Sequence, residues 1–294
     1  MYRAGFVGVI GRPNVGKSTL INALLGEKIA IVSSKAQTTR VSQMGILTSQ
    51  DSQIVFIDTP GIARPRHLLD RSMMNEANSK IAESDVVMWI VDVSKSPSNK
   101  DVRIVDMILK YKPSRKIVIA MNKVDLLKPE YVIQNTDLYR DLSADSLWML
   151  VSGLKRINLD KLLEILNKLL PEGNKYFENN EITDLSIRKL SEEFVREAAL
   201  IYLRDEIPHG IGVIVEEFKE TNENVEIIAT IVVENYKHKA VVIGKNGSMI
   251  KKIGIKSRLN IEGLIRKPVN LKTYVKVQED WRNNGSKMKY VGYG

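Results

Sequence analysis

The sequence predicts an α/β protein in two parts: a mostly parallel sheet flanked by helices, then a smaller α+β domain. Three observations predict it. Apolar-rich runs at 6–10, 53–57, 86–92, 116–121 and 147–151 alternate with helical segments, as strands buried on both faces do. The first run opens straight into a glycine-rich loop and a helix. After Pro171-Glu172-Gly173-Asn174 the order changes to α-β-β-α-α-β, with strands that alternate apolar and polar.

A chain of 294 residues, 44% of them apolar, can bury one large or two moderate cores. The absence of cysteine excludes disulfides, thiolate metal sites and cysteine nucleophiles. The longest apolar runs, 86–91 and 227–233, are far too short to span a bilayer, and the first residues run directly into a strand. The expectation is a cytoplasmic protein, with peripheral contact on the inner face of the cell membrane left open through its basic surface. Net charge is +9, unevenly spread. Residues 1–170 carry 24 Lys and Arg against 17 Asp and Glu, residues 171–234 carry 6 against 15, and residues 235–294 carry 14 against 3. The last block therefore suits a polyanion.

Taken in order, Gly11-Arg12-Pro13-Asn14-Val15-Gly16-Lys17-Ser18 fits G-x-x-x-x-G-K-[ST], the phosphate-cradling P-loop. It lies between the strand at 6–10 and a helix that starts near Thr19, the context that the motif requires. Gly11 and Gly16 let the backbone approach phosphate, and the N–H groups around Val15 to Thr19 point at the anion. Lys17 would reach the β- and γ-phosphates and Ser18 would ligate Mg²⁺. The polar stretch 27–41 reads as a mobile loop, and Thr39 is the hydroxyl expected to close over Mg²⁺ and the γ-phosphate. Segments 44–49 and 53–57 form a hairpin that ends in Asp58-Thr59-Pro60-Gly61. Asp58 is the Mg²⁺-side carboxylate, and Gly61 can set its N–H against the γ-phosphate. Residues 62–70 would be the second switch.

After the strand at 116–121 stands Asn122-Lys123-Val124-Asp125. A carboxylate at Asp125 accepts from guanine N1–H and the 2-amino group together, whereas adenine would leave it unpaired. Asn122 would tie this loop to the P-loop, and Lys123 would lie along the purine. Backbone N–H groups at Ser152-Gly153 would meet guanine O6. A helix at 158–170 closes a GTP-binding domain of residues 1–170. A linker, 171–183, leads to the domain 184–294. There a helix at 191–206, a hairpin of 211–218 with 225–234, a helix at 237–243, a loop, a helix from 248 to about 261 and a strand at 269–277 are expected. The loop Gly244-Lys245-Asn246-Gly247 joins two helices and sits among Lys251, Lys252, Lys256 and Arg258. Such a loop clamps a single-stranded nucleic-acid backbone.

GRPNVGKS, KAQTTR, DTPG, NKVD, the ITD of 182–184 and VIGKNGSMIKKIG in this order resemble the Era family of bacterial ribosome-assembly GTPases, over essentially the whole chain. The resemblance implies a Ras-like P-loop NTPase domain followed by a type II KH domain that binds the 3′ end of small-subunit ribosomal RNA and the small ribosomal subunit. It also implies membrane-peripheral behaviour. Ile62 stands where Ras-like enzymes carry the glutamine that orients water, so intrinsic hydrolysis is expected to be slow. Asn14 stands where related potassium-dependent GTPases bind K⁺, although turns favour asparagine in any case. Relatives commonly read Ser-Ala where this chain has Ser152-Gly153, and the glycine is expected to add slack. The alternative is a GTPase whose second domain serves RNA modification or membrane remodelling. The three histidines, His67, His209 and His238, supply no modification chemistry.

Overall fold

The structure is a computed structural model that describes residues 1–33, 35, 38–61, 65, 67–111 and 116–293. The chain divides into two compact units. The first comprises 1–30, 39–64 and 73–184, and the second 31–38, 65–72 and 185–294.

The first unit holds β1 (Arg3–Ile10), α1 (Lys17–Leu25), β2 (Gln43–Thr48), β3 (Ser52–Asp58), most of α2 (Leu68–Glu83), β4 (Val86–Asp92), α3 (Asn99–Tyr111), β5 (Ile117–Asn122), α4 (Val132–Asp141), β6 (Leu147–Leu150) and α5 (Leu159–Leu169). Its sheet runs β2-β3-β1-β4-β5-β6, and only β2 is antiparallel to its neighbour. The alternation along each strand fills two cores. Val7, Val9, Ile54, Phe56, Met88 and Ile90 face one way, against Leu20, Leu24, Leu162 and Leu166. Ile10, Val87, Trp89 and Val91 face the other, against Ile81, Ile104, Ile108 and Tyr139. Strand order reverses at β1, so the loops after β1, β3 and β5 open at one end of the sheet, where α/β proteins hold ligands.

Two helices go beyond what the sequence pattern predicts. Helix α2 buries Leu69, Met73, Ala77 and Ile81, a single row at spacing four. Helix α4 buries Asn135, Thr136 and Tyr139, which form no apolar stripe. Residues 171–184 also do more than connect. The β2 edge would otherwise leave backbone groups bare. Instead Ile46 N–H donates to Ile182 C=O at 2.9 Å and Met44 N–H to the Asp184 carboxylate at 2.7 Å. The buried Gln53 carboxamide receives the N–H groups of Tyr176 and Phe177 and donates to Phe177 C=O.

The second unit is α6 (Ile187–Tyr202), β7 (Gly212–Glu220), β8 (Val225–Val233), α7 (Tyr236–Ile243), α8 (Ser248–Ile265), β9 (Val269–Val277) and α9 (Gly285–Tyr290). Helix α6 occupies 187–202 rather than the expected 191–206, because the Ser186 hydroxyl caps it by accepting from Lys189 N–H. Helix α8 runs on to Ile265. The sheet order is β7-β8-β9, with β8 and β9 parallel. Phe194, Val195, Ala198, Ile227, Ile231, Val242, Ile253 and Ile261 share its core with Ile31. Arg196 is fully buried; it pairs with Glu193 and donates to Thr38 C=O. Glu197 accepts from Val32 N–H at 2.8 Å and from Asn260 at 2.7 Å. The tail from Trp281 onward is largely a plug. Trp281 is fully buried, donates to Gly210 C=O at 2.9 Å and stacks on Tyr293, while Arg282 grips Glu234 through two nitrogens. Among the described residues no helix is long and apolar enough to cross a membrane.

Candidate functional site

The P-loop is held by contacts that only glycine allows at two places. A Cβ on Gly11 would lie 2.4 Å from Ile90 C=O, and one on Gly16, at φ +95°, would lie 2.4 Å from the Asn122 amide nitrogen. Asn14 takes left-handed backbone at φ 67°, a conformation that asparagine tolerates, and its side chain is exposed. Asparagine suits this turn through its backbone alone. Lys17 is buried and donates to Gly11 C=O at 3.2 Å and to Arg12 C=O at 3.3 Å, carbonyls that a phosphate would replace as partners. Arg12 faces the buried Asp101 of α3 at 2.8 Å, which ties the loop to that helix.

The three residues expected to hold metal converge. Ser18 Oγ lies 3.3 Å from Thr39 Oγ1, and both hydroxyls donate to Asp58 Oδ2 at 3.1 Å. The other carboxylate oxygen, Asp58 Oδ1, is buried without a hydrogen-bond partner. Two hydroxyls and an underused carboxylate make the all-oxygen donor set that a hard divalent cation takes. Burial pushes the Asp58 carboxyl above its usual value, against the pull of Lys17, Ser18 and Thr39. It pushes the Lys17 ammonium below its own, against the pull of Asp58. Each ion is short of solvation, so a cation at Asp58 and an anion at Lys17 would both be favoured. Gly61 closes this corner: a Cβ there would sit 3.2 Å from Lys17 Nζ. Its neighbour Thr59 has a different task. The hydroxyl donates to Val9 C=O at 2.7 Å inside the sheet, and Pro60 is buried beside it. Ile62 lies outside the described residues.

On the base side, Asn122 is a buried hub. Its amide donates to Val15 C=O at 2.9 Å and its oxygen accepts from Gly153 N–H at 3.0 Å. Lys123, at φ 67°, donates to Asn14 C=O at 2.7 Å and pairs with Asp92 at 2.8 Å. Asp125 Oδ1 is buried with no partner, an acceptor waiting for donors. The expectation that Ser152 and Gly153 offer N–H groups to the base is not met. Ser152 N–H bonds Ile157 C=O at 3.2 Å and Gly153 N–H bonds Asn122. The Ser152 hydroxyl accepts from Lys155 N–H at 3.0 Å, which shapes the loop. Nor is Gly153 slack. A Cβ there would stand 2.9 Å from the Leu20 Cα of α1, so the glycine permits close approach. Thr19 is half-buried on the first turn of α1.

In the second unit, Gly244 at φ 72° and Gly247 at φ 74° flank Asn246 at φ 51° between α7 and α8. A Cβ on Gly244 would press Met249 at 2.7 Å. Lys245, Asn246, Lys251 and Lys252 are all exposed. Exposed Val241, Ile255 and Leu259 add apolar surface that the charge pattern alone does not reveal. Ile255 and Leu259 share a helix face with Lys251 and Arg258 at spacings of three and four, so bases and phosphates have neighbouring partners.

Comparison with known proteins agrees with both halves. The family model described as 50S ribosome-binding GTPase matches residues 6–123, and the KH domain model matches residues 206–282. The GTPase Era of Clostridium perfringens (strain ATCC 13124) is 41% identical over 294 residues, covering 100% of this chain and 99% of its own. That of Staphylococcus epidermidis is 40% identical over 293 residues, covering 99% and 97%. A crystal structure of Era in complex with MgGDPNP and nucleotides 1506–1542 of 16S ribosomal RNA superposes with a TM-score of 0.94 at 35% identity, over 100% of both chains. Aquifex aeolicus Era Y63A bound to GDP and AlF4⁻ gives 0.94 at 36% identity, over 99% of both. With a phosphate cradle, a guanine-type acceptor loop and a KH hairpin in one chain, and with likeness at this level along its whole length, the chain belongs to the Era family of GTPases.

Proposed function

We propose that this GTPase is a nucleotide-controlled RNA-binding protein that takes the 3′ end of small-subunit ribosomal RNA and assists assembly of the small ribosomal subunit. The observation that carries the reading is the pairing, in one chain, of an orphaned guanine acceptor at Asp125 with an exposed basic Gly-x-x-Gly hairpin. Gly11, Val15, Gly16, Lys17 and Thr19 would hold the phosphates of GTP or GDP. Ser18, Thr39 and Asp58 would hold Mg²⁺, which when bound neutralises charge on the β- and γ-phosphates. Lys17 and Gly61 would face the γ-phosphate. Asn122 and Ser152 would frame the base by fixing the loops around it. Gly244, Lys245, Asn246, Gly247, Lys251 and Lys252 would clamp RNA.

K⁺ at Asn14 is part of the proposal: turnover in potassium should exceed turnover in sodium, and equal rates remove it. The cytoplasm, with peripheral contact at the inner membrane face, is the proposed location.

The experiment is crosslinking to total RNA with a GTP analogue or GDP bound. A dominant signal at the small-subunit 3′ end, lost on Gly244→Asp or Gly247→Asp, is expected. Signal spread evenly over RNA classes would overturn the reading. Affinity should fall steeply with salt.

A further inference from the structure

P-loop residues 12–14 are anchored at both ends. Arg12 sends its side chain to the start of α3. Its Nε stands 2.8 Å from Asp101 Oδ1, and neither atom has a hydrogen-bond partner elsewhere. Its Nη1 donates to the Ser98 hydroxyl at 3.2 Å. Asp101 is fully buried, and its other oxygen accepts from the Ser98 N–H at 2.8 Å and the Ser98 hydroxyl at 2.9 Å. Two residues on, Asn14 C=O accepts from Lys123, which Asp92 holds. Pro13 stands between the two anchors, with φ fixed by its ring. It reaches the corner that Gly61 closes. A Cβ on Gly61 would lie 3.4 Å from Pro13 Cα and Cγ, beside the 3.2 Å approach to Lys17 Nζ. The Arg12 carbonyl is itself one of the two that Lys17 uses, at 3.3 Å.

Ser98 and Asp101 form a capping box for α3, which accounts for both of those residues. It does not account for the arginine. The cap is complete with Asp101 Oδ2 alone. A helix N-terminus disfavours a nearby cation, and a buried ion pair is costly to desolvate. The benefit therefore lies on the loop side: a guanidinium fastened to α3 fixes where the Arg12 carbonyl and Pro13 stand. GDP and GTP would use that differently. The diphosphate would be held by Lys17 and by the N–H groups from Val15 to Thr19. The γ-phosphate would also occupy the corner among Lys17, Gly61 and Pro13, so the anchor bears on the triphosphate more than on the diphosphate.

We propose that Arg12, anchored by Asp101, is a positioning residue that sets the preference for GTP over GDP by holding Pro13 at the γ-phosphate corner. The inference rests on the reading above that Lys17 and Gly61 face the γ-phosphate, and adds a third wall to that corner. The probes are fluorescent GDP and a fluorescent non-hydrolysable GTP analogue, titrated against the full chain in Mg²⁺. In Asp101→Asn the amide oxygen can still accept from Ser98 N–H, so α3 keeps its cap, while the amide nitrogen is left to face Arg12. The GTP analogue should weaken about 10-fold, the lower end of what a hydrogen bond to a charged group is worth, and GDP should change by less than about twofold. Retained GDP binding also shows that the variant is folded. Arg12→Met keeps the stem, removes the charge and should give the same shift. Both changes break one contact, so the double variant should lose no more than the worse single variant. Gly61→Ala is the reference, because its Cβ enters the corner directly: the analogue should weaken and GDP should not.

Equal weakening of both nucleotides in Asp101→Asn and Arg12→Met would reduce Arg12 to a structural tie and overturn the proposal. So would an unchanged preference in either variant, or additive losses in the double variant. A Gly61→Ala protein that keeps the wild-type preference would overturn the reading of the corner itself.

Discussion

Asn122→Ala tests how the nucleotide site is held before any nucleotide arrives. The side chain is 3% exposed and joins two loops: its amide on Val15 C=O, its oxygen on Gly153 N–H. Truncation leaves a buried acceptor and a buried donor unmatched. Each unmatched group costs about 1–3 kcal/mol, so the sum is about 2–6, with the lower half expected if water enters the space left behind. Against a domain stability of about 5–15 kcal/mol, a loss of about 3 is large. The protein has two units, so a global transition would mix them. Of the three tryptophans, Trp89 and Trp148 lie in the first unit and Trp281 in the second. In a Trp281→Phe background, fluorescence therefore follows the first unit alone. Urea unfolding of the nucleotide-free protein removes any contribution of Asn122 to guanine. Asn122→Asp sharpens the test, because it keeps an acceptor for Gly153 but turns a carboxylate oxygen to Val15 C=O. It should cost at least as much as alanine. A loss below about 0.5 kcal/mol for either variant, the level of an ordinary surface substitution, would refute the hub.

Gly153→Ala places a Cβ 2.9 Å from the Leu20 backbone of α1, and overpacking of this kind costs about 1–3 kcal/mol. GDP release, followed with a fluorescent analogue, should quicken; unchanged release and unchanged stability would show that the loop yields freely. At Asp92, burial works to raise the carboxyl, but the hydrogen bonds from Lys123 and Ser94 outweigh it and hold the group below its ordinary value of 3.8. A depressed carboxylate stabilises the fold above its unfolded-state value and loses that stabilisation as pH falls through the folded one. Asp92→Asn should thus cost about 1–2 kcal/mol at pH 7, and urea midpoints for the two proteins should converge below about pH 3.8; an equal gap at pH 7 and pH 3 would count against this. Trp281→Ala removes a fully buried ring and its bond to Gly210, at about 3–5 kcal/mol. Amide exchange in β7 and β8 should accelerate accordingly, and protection kept at the wild-type level would contradict the plug.

What could be read from the sequence follows from where the constraint lies. Lys17, Ser18, Asp58, Asn122 and Asp125 were legible because phosphate, metal and guanine each demand a particular side chain next to a strand end. Strand β9 was legible because its period of two is unbroken over 269–277. Helix α4 was not, since its buried face is Asn135, Thr136 and Tyr139, which reads as polar until the Ser96 and Val93 partners of Asn135 are known. The face of α6 was obscured in a similar way. Glu193 and Arg196 are buried as a pair, and Glu197 is buried against Val32 N–H and Asn260, so charge does not mark its outer face. The hold of Gln53 on Tyr176 and Phe177 spans more than a hundred residues and has no local signature. Nothing local marks Trp281, which follows Glu279 and Asp280 in a polar stretch. Only its contact with Gly210 decides that the ring is buried.

Local motif and long-range contact also divide the labour inside the site. The motif residues fall into two groups by what their polar atoms already do. Thr59, Asn122 and Ser152 have their side-chain groups engaged within the protein, so their work is to set the loops. Asp58 and Asp125 each keep one buried oxygen without a partner. Buried unmatched atoms occur elsewhere in the chain, at Trp89 Nε1 and Asn167 Oδ1 for instance, so an orphan alone does not mark a site. The two carboxylates differ from these because each orphan closes a set that a ligand would complete: oxygens of Ser18 and Thr39 beside Asp58, and the loop of Asn122 and Lys123 beside Asp125. An unpaired buried carboxylate oxygen carries a continuing cost, and a cation or a pair of N–H donors removes it on binding. The same two atoms that destabilise the empty fold therefore select what fills it. Replacing Asp125 with asparagine should weaken guanine-nucleotide binding, because the amide turns a donor toward the donors of the base; titration with a fluorescent GDP analogue reads the loss, and unchanged affinity would refute the assignment.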